Sequence, residues 1–187
     1  MALTALDRKT ALIVIDLQKG IVGFPTVHPI EGVVARSRAL ADAFRARGLP
    51  VVLVNVTGGA PGRTEQPRLD MSKLPADFAE LVPELGQQTD DMLVTKRNWG
   101  AFANTDLEAR LNALGVTQVV LTGVATGTGV EATARQAYEQ CFNVTLAVDA
   151  MTDTRAEAHD YSIRNVFPRL GETGSADAVM ALLASRA

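Results

Sequence analysis

The stretch at residues 119–137, VVLTGVATGTGVEATARQA, changes its pattern midway, and the fold interpretation starts from this change. Its first residues form an apolar run that is typical of a strand buried on both faces. After Gly129, the residues Val130, Ala134 and Ala137 recur at helical spacing. The pattern predicts a strand, a short loop and a helix that begins at Gly129. Ligands of open α/β sheets bind above such a loop.

The rest of the chain repeats this alternation of strand and helix patterns. We predict further strands at 11–16, 51–56, 91–96, 142–149 and 168–173, helices at 31–47, 105–114, 154–166 and 175–185, and a weak helix at 76–81. Crossovers of a dozen or more residues favour parallel pairing. The predicted fold class is therefore α/β, with a doubly wound, mainly parallel six-stranded sheet and helices on both faces. This Rossmann-like, three-layer arrangement would form one domain over 1–187.

The composition favours a small molecule as the binding partner. Lys and Arg number 18 against 21 Asp and Glu, and the net charge of -3 argues against a nucleic-acid or anionic-membrane surface. Cys141 is the single cysteine, which excludes an intrachain disulfide and fits a reducing compartment, so we expect a cytoplasmic protein. The N-terminal apolar run is short and lacks a cleavage site, so we expect neither a signal peptide nor a membrane helix.

Three predicted strands end in groups that can carry chemistry. Asp16 ends the strand at 11–16, Lys96 ends the strand at 91–96, and the turn at 127–129 follows the strand quoted above. In a parallel sheet these ends lie at the same edge, so the three groups can converge. A carboxylate beside an ammonium can move protons and stabilise developing negative charge. An Asp at the end of a strand is also a common turn former, and the pattern alone leaves both interpretations open.

Three segments, ALIVIDLQ, VTKRNWGAF and LTGVATGTGVEATARQAYEQ, resemble in their order and spacing the isochorismatase-like hydrolase family, also called the cysteine hydrolase superfamily. The resemblance covers nearly the whole chain and implies this fold, assembly into homodimers or homotetramers, and a site built from an Asp, a Lys and usually a Cys. Asp16 matches the family acid/base and Lys96 the family lysine, whereas Gly129 stands at the position of the cysteine nucleophile. The Val124-Ala125 peptide matches a bond that is often cis and helps to shape the oxyanion pocket.

The glycine at position 129 separates this chain from the amidase members that it resembles. Nicotinamidases, N-carbamoylsarcosine amidases and ureidoacrylate amidohydrolases form a thioester, which glycine cannot do. Cys141 lies twelve residues further along a helix that rises about 1.5 Å per residue, hence roughly 18 Å away, and cannot replace the nucleophile. Isochorismatases proper resemble this chain in lacking that cysteine. The motif sequences VTKRNWGAF and GTGVEATAR most resemble an uncharacterised branch of the family that has glycine at this position.

The resemblance to isochorismatases implies hydrolysis of a vinyl ether without a protein nucleophile. An acid protonates the enol carbon and water attacks the resulting oxocarbenium ion, and Asp16 would be that acid. Burial would have to raise the pKa of Asp16 against the lowering effect of Lys96. Two alternatives stay open: a catalytically inactive protein that binds a small molecule, and an amidase with an unrecognised nucleophile, for which Thr126 and Thr128 are nominal candidates.

Several other residues are candidates for the wall of the substrate pocket. They are Gln18, Phe24, Asn55, Arg63, Trp99, Phe102 and Thr126. Loop packing explains Gln18 and Phe24 equally well, and turn capping explains Asn55. Trp99 and Phe102 would wall the pocket or a subunit interface.

Arg63 lies in a predicted long loop or flap at 57–73, where it is either a bidentate partner of a substrate carboxylate or a merely solvated loop arginine. Lys96 is a separate candidate for binding a substrate carboxylate. His28 and His159 have no partners at ligand spacing, and we place His159 on the polar side of its helix. Nicotinamidase-like members carry an Asp-x-His metal motif after the second strand, but this chain has Asn55-Val56-Thr57 there. We therefore expect no catalytic metal and no cofactor.

Overall fold

The computed structural model describes residues 3–67, 70 and 73–185. The strands are β1 (Thr10–Ile15), β2 (Val51–Val56), β3 (Met92–Lys96), β4 (Gln118–Val124), β5 (Asn143–Thr152) and β6 (Glu172–Gly174). The helices are α1 (Lys19–Val22), α2 (Ile30–Arg45), α3 (Leu107–Ala113), α4 (Glu131–Glu139), α5 (Ala156–Tyr161) and α6 (Ala176–Ala184). A strand and a helix thus alternate along most of the chain, as the sequence pattern predicts.

All of these strands belong to one sheet. Within the described residues it has six strands in the order β3-β2-β1-β4-β5-β6, and every neighbouring pair is parallel. The order reverses between β1 and β4, because the chain first builds the sheet outward to one side and then returns to build the other. The predicted doubly wound α/β fold is confirmed.

The alternation of side chains along β1 divides the core into two layers. Ala11, Ile13 and Ile15 pack in a cluster with apolar residues of α3 and α4, whereas Leu12 and Val14 pack with those of α2 and α6. Each of these five side chains is at most 1% exposed. A strand covered on both faces requires a continuous apolar run, which explains why this segment shows no polar alternation.

The predicted helix at 76–81 is wrong. Phe78 and Glu80 form tight turns by donating their N–H groups to carbonyls three residues earlier. Their own carbonyls accept hydrogen bonds from Gly20 and Lys19 of α1, at 3.0 and 2.8 Å. The segment is thus held as separate turns against α1 rather than by the continuous i to i−4 bonds of a helix.

Other boundaries shift by smaller amounts. The predicted helix at 154–166 is α5 followed by a wider π turn at Ser162–Val166, and the predicted strand at 168–173 starts later because a 3-10 turn occupies Phe167–Arg169. Residues 57–67 contain no helix or strand, in agreement with the predicted loop, while 68, 69, 71 and 72 of that prediction lie outside the described residues. None of the helices in the described ranges is long and apolar enough to cross a membrane.

Gly123 lies on β4 opposite Ile15 of β1, with no room for a side chain between the two strands. Its φ of +109° lies in a region that favours glycine, and an added Cβ would lie 2.0 Å from the Ile15 carbonyl oxygen. A side chain at this position would therefore push apart the two central strands.

We predict that Gly123→Ala destabilises the fold by about 3 kcal/mol or more, because backbone strain adds to the contact with β1. Gly115→Ala is a matched control, since Gly115 also has a positive φ (+68°) but open space around its Cβ position. The control should lose only about 1–2 kcal/mol. Urea unfolding measures both values, and equal losses would contradict a special role of the β1–β4 contact.

Candidate active site

The candidate site lies at the carboxyl ends of β1 and β4, where the strand order reverses. Asp16 directly follows β1, and a π turn at Thr126–Val130 directly follows β4. Open α/β sheets bind their ligands in the crevice at such a switch point, because the two following connections leave to opposite faces.

The backbone of Asp16 turns its carboxylate towards Lys96. Strand alternation would place Asp16 on the same face as Val14, yet Lys96 lies on the other face, in line with Val94 and Ile15. Asp16 has a φ of +52°, a left-handed conformation that ends the strand and redirects the side chain. The Lys96 Nζ then donates to Asp16 Oδ2 at 2.7 Å.

The ion pair between Asp16 and Lys96 is almost fully buried. The two residues are 6% and 2% exposed, and Lys96 Nζ also donates to the Asn98 carbonyl at 3.2 Å. Burial raises the pKa of Asp16 to about 6, and the charge and hydrogen bond of Lys96 oppose this rise without cancelling it. The second carboxylate oxygen, Asp16 Oδ1, is buried and has no hydrogen-bond partner among the described residues. Asp16 can therefore gain or lose a proton near neutral pH.

Gly129 faces the same carboxylate from the turn after β4. A Cβ added to Gly129 would lie 3.2 Å from Asp16 Oδ2 and 3.1 Å from Ile15 Cγ2 and the Val124 carbonyl oxygen. The side-chain direction at this position therefore points at Asp16. A larger residue would need its neighbours to move by a few tenths of an ångström.

The turn itself begins earlier than the sequence predicts. Helical backbone starts at Thr126 rather than at Gly129, because the N–H of Val130 donates to the Ala125 carbonyl five residues back, at 3.1 Å, and forms a π turn. The Val124-Ala125 peptide bond that precedes it is cis.

A buried polar network supports this turn from behind. Thr126 Oγ1 and His159 Nδ1 share a hydrogen bond of 2.8 Å, and the His28 ring lies 4.7 Å from the His159 ring. The Gly127 N–H donates to Asp153 Oδ2 at 2.7 Å. Burial, followed by the proximity of His28, lowers the pKa of His159, although Asp160 and Asp153 act in the opposite direction.

The position of His159 corrects the prediction that it lies on the polar side of its helix. It is 6% exposed and packs against the turn, because α5 crosses over the end of β4. Thr126 and His159 are 33 residues apart in the chain. The residues around them show no sequence motif that would indicate a contact between the two.

The remaining pocket candidates divide into buried and exposed residues. Gln18 is fully buried, where its amide bonds to the main chain of Val56 and Phe78, so its role is loop packing. Asn55 donates to the Ala79 carbonyl at 2.8 Å, and its Oδ1 is buried without a partner among the described residues.

Phe102 is buried in the core, where its ring stacks on that of Phe142 with centroids 5.8 Å apart, and its place at a pocket wall or interface stays a prediction. Phe24, Arg63 and Trp99 are exposed and stay candidates only for the outer part of a site. Among the residues that the structure describes, no three His, Cys, Asp or Glu side chains cluster as a metal site would require. The structure thus brings together Asp16, Lys96 and the position of Gly129.

Comparisons with known proteins agree with this architecture. Residues 10–178 match the model of the isochorismatase domain. The chain is 42% identical over 172 residues to YwoC, an uncharacterized isochorismatase family protein of Bacillus subtilis (strain 168), covering 89% of each chain. It is also 32% identical over 203 residues to the ureidoacrylate amidohydrolase RutB of Stutzerimonas stutzeri (strain A1501), covering 91% of this chain and 81% of RutB.

A solved structure shows the same likeness in three dimensions. The isochorismatase family protein of Burkholderia thailandensis superposes with a TM-score of 0.93 at 40% identity, covering 97% of this chain and 98% of that one. The sheet order, the domain match and these similarities lead to one conclusion: the chain belongs to the isochorismatase family and is one of its hydrolases.

Proposed function

We propose that this hydrolase cleaves a small carboxylated or enol-ether substrate, such as isochorismate, without a covalent enzyme intermediate. The observation that carries the proposal is the glycine at 129. Its side-chain direction points at Asp16 Oδ2 from 3.2 Å, where a nucleophile would be in contact with the acid/base, yet it carries no nucleophile. Water would therefore have to attack the substrate directly.

Asp16 would act first as an acid and then as a base. Its proton adds to the methylene carbon of the vinyl ether and produces an oxocarbenium ion. Water attacks that cation and returns a proton to the Asp16 carboxylate, and the resulting hemiketal collapses to a ketone and an alcohol. The raised pKa of Asp16, about 6, supports both half-reactions, because neither protonation state is far from neutral pH.

Lys96 would orient Asp16 and limit the rise of its pKa. Its ammonium holds Oδ2 at 2.7 Å, which leaves the unpartnered Oδ1 as the atom available for proton transfer. The Asn98 carbonyl holds the ammonium from another side at 3.2 Å, so the carboxylate is fixed in one orientation. Such preorganisation avoids the cost of reorienting charges during the reaction.

Amide hydrolysis is the second candidate, because RutB, a relative at 32% identity, is an amidohydrolase. Two of the hydroxyl groups near the turn, those of Thr126 and Thr133, do not favour it. Thr126 Oγ1 is buried and engaged with His159, and Thr133 Oγ1 is buried and donates to the Gly129 carbonyl at 2.7 Å. Neither hydroxyl contacts the Asp16 carboxylate, which would have to activate it.

We predict that the purified protein releases pyruvate from isochorismate and that Asp16→Asn lowers kcat by about 100-fold or more, the usual contribution of a general acid. A coupled lactate dehydrogenase assay measures the release, and circular dichroism checks that the variant is folded. Asp77→Asn is the control, since Asp77 forms an exposed ion pair with Lys19. Binding of isochorismate without turnover by the unmodified protein would favour the inactive binding protein instead.

The pH dependence follows from the raised pKa of Asp16. The reaction starts from the protonated carboxyl, and the protonated fraction falls tenfold per pH unit above a pKa of about 6. We therefore predict that kcat/KM for isochorismate decreases as the pH rises from 6 to 8. Initial rates in a series of buffers test this, and an increase over the same range would contradict the acid role.

We predict that Gly129→Cys gains amidase activity on ureidoacrylate, because its thiol would lie beside Asp16. The thiol would give its proton to Asp16 and attack the ureido carbonyl carbon, and the C–N bond would break as the leaving nitrogen takes a proton from Asp16. Intact mass would record the resulting thiocarbamate before water cleaves its C–S bond and restores the thiol. Gly127→Cys is the matched control, since a Cβ there points at Ala158 and Asp153. A covalent adduct on the unmodified protein would instead reveal an unrecognised nucleophile.

A further inference from the structure

A cavity of about 420 Å³ lies at the carboxyl end of β3. Its lining residues are Gly59, Pro61, Thr95, Arg97, Asn98 and Asn104. The volume falls within the usual range of small-ligand sites. The segment after β2 and the segment after β3 face each other across it, tied by a hydrogen bond from the Thr57 N–H to the Lys96 carbonyl at 3.0 Å.

One cationic side chain, the exposed Arg97, lines the cavity. Among the described residues no acidic side chain lines it, and the Arg97 guanidinium makes no ion pair or side-chain hydrogen bond with any of them. The guanidinium packs over Gly58, where an added Cβ would lie 3.1 Å from Arg97 Nε. Its planar fork of N–H donors therefore remains available for an anion.

Two asparagines add directed donors to this charge. Asn104 has a φ of +58°, and its Nδ2 donates to Asn98 Oδ1 at 3.2 Å. Because this bond uses the Asn98 oxygen, the Asn98 amide presents its NH₂ group as the free end. Guanidinium and amide donors together match the oxygen atoms of a carboxylate.

The cavity wall also contacts the proposed catalytic pair. Asn98 lines the cavity, and its carbonyl accepts from Lys96 Nζ, which in turn holds Asp16. Lys96 is buried, and its Nζ already donates to Asp16 Oδ2 and to the Asn98 carbonyl, so it has little donor capacity left for a second carboxylate. Arg63, the cation that the sequence suggests, and Arg97 are both exposed, but of the two only Arg97 lines the cavity.

We propose that this cavity is the subsite for the substrate carboxylate and that Arg97 binds that carboxylate, with the Asn98 amide beside it. The assignment rests on the proposed function, since it names the charged group of the molecule that Asp16 would protonate. It makes Arg97 a specificity residue for organic acids over their neutral amides.

Calorimetric titration with benzoate and benzamide tests the subsite without turnover, because the two probes differ in charge and share their shape. We expect benzoate to bind at least tenfold more tightly than benzamide. Arg97→Ala should weaken benzoate binding by about 10- to 100-fold, the usual loss of a charged hydrogen bond, and leave benzamide unchanged. The benzoate affinity of Arg97→Lys should lie between those of the unmodified protein and Arg97→Ala, since lysine keeps the positive charge but lacks the planar pair of N–H donors. Arg8→Ala is the matched control and should behave as the unmodified protein does, since Arg8 is an exposed arginine that precedes β1, at the opposite edge of the sheet.

Three results would overturn the subsite: no benzoate binding, benzoate binding that survives Arg97→Ala, or tighter binding of phenyl phosphate than of benzoate. If the Arg63→Ala variant no longer binds benzoate, the carboxylate is bound by the loop that carries Arg63 instead. The two proposals fail separately. If Asp16→Asn abolishes isochorismate turnover while Arg97→Ala leaves benzoate binding intact, the reaction stands and the subsite falls. If Asp16→Asn leaves isochorismate turnover intact while Arg97→Ala abolishes benzoate binding, the subsite is supported and the proposed reaction is contradicted.

Discussion

The buried ion pair between Asp16 and Lys96 is the constraint around which the carboxyl edge of the sheet is arranged. Two charges with almost no solvent contact are costly unless they are paired and held by further hydrogen bonds. The 2.7 Å contact is possible only because β1, β2 and β3 lie side by side in parallel, so that residues 80 positions apart meet at one edge. Any change that separates these strands would leave a charge without its partner.

The same arrangement explains why a missing side chain matters so much at position 129. The π turn brings Gly129 to the Asp16 carboxylate, and the network of Thr126, His159 and Asp153 holds that turn against the end of β5 and against α5. A side chain at position 129 would therefore contact Asp16. Family membership supports hydrolysis, and our proposal assigns the attack to water because Gly129 carries no nucleophilic group.

Much of the fold could be predicted because burial on both faces leaves a local mark. The run ALIVI predicts β1, since every position of that strand is covered by helices. The helix predicted at 76–81 does not form, because hydrogen bonds with α1 determine the conformation of these residues. Such long-range contacts leave no pattern in the local sequence. The prediction that His159 lies on the polar side of its helix fails for the same reason. That helix packs on the turn after β4, and this contact buries His159.

The sequence by itself determined the alternation of strands and helices, the presence of Asp16 and Lys96 at strand ends, and the lack of a nucleophile at Gly129, because periodicity and residue identity are local properties. Only the tertiary structure decided that β1 lies beside β4, that a positive φ turns Asp16 towards Lys96, and that burial outweighs Lys96 in setting the pKa of Asp16. It also placed Arg97 in a cavity that no motif indicates. Each of these depends on contacts between residues far apart in the chain, and desolvation in particular is set by everything that packs around a group.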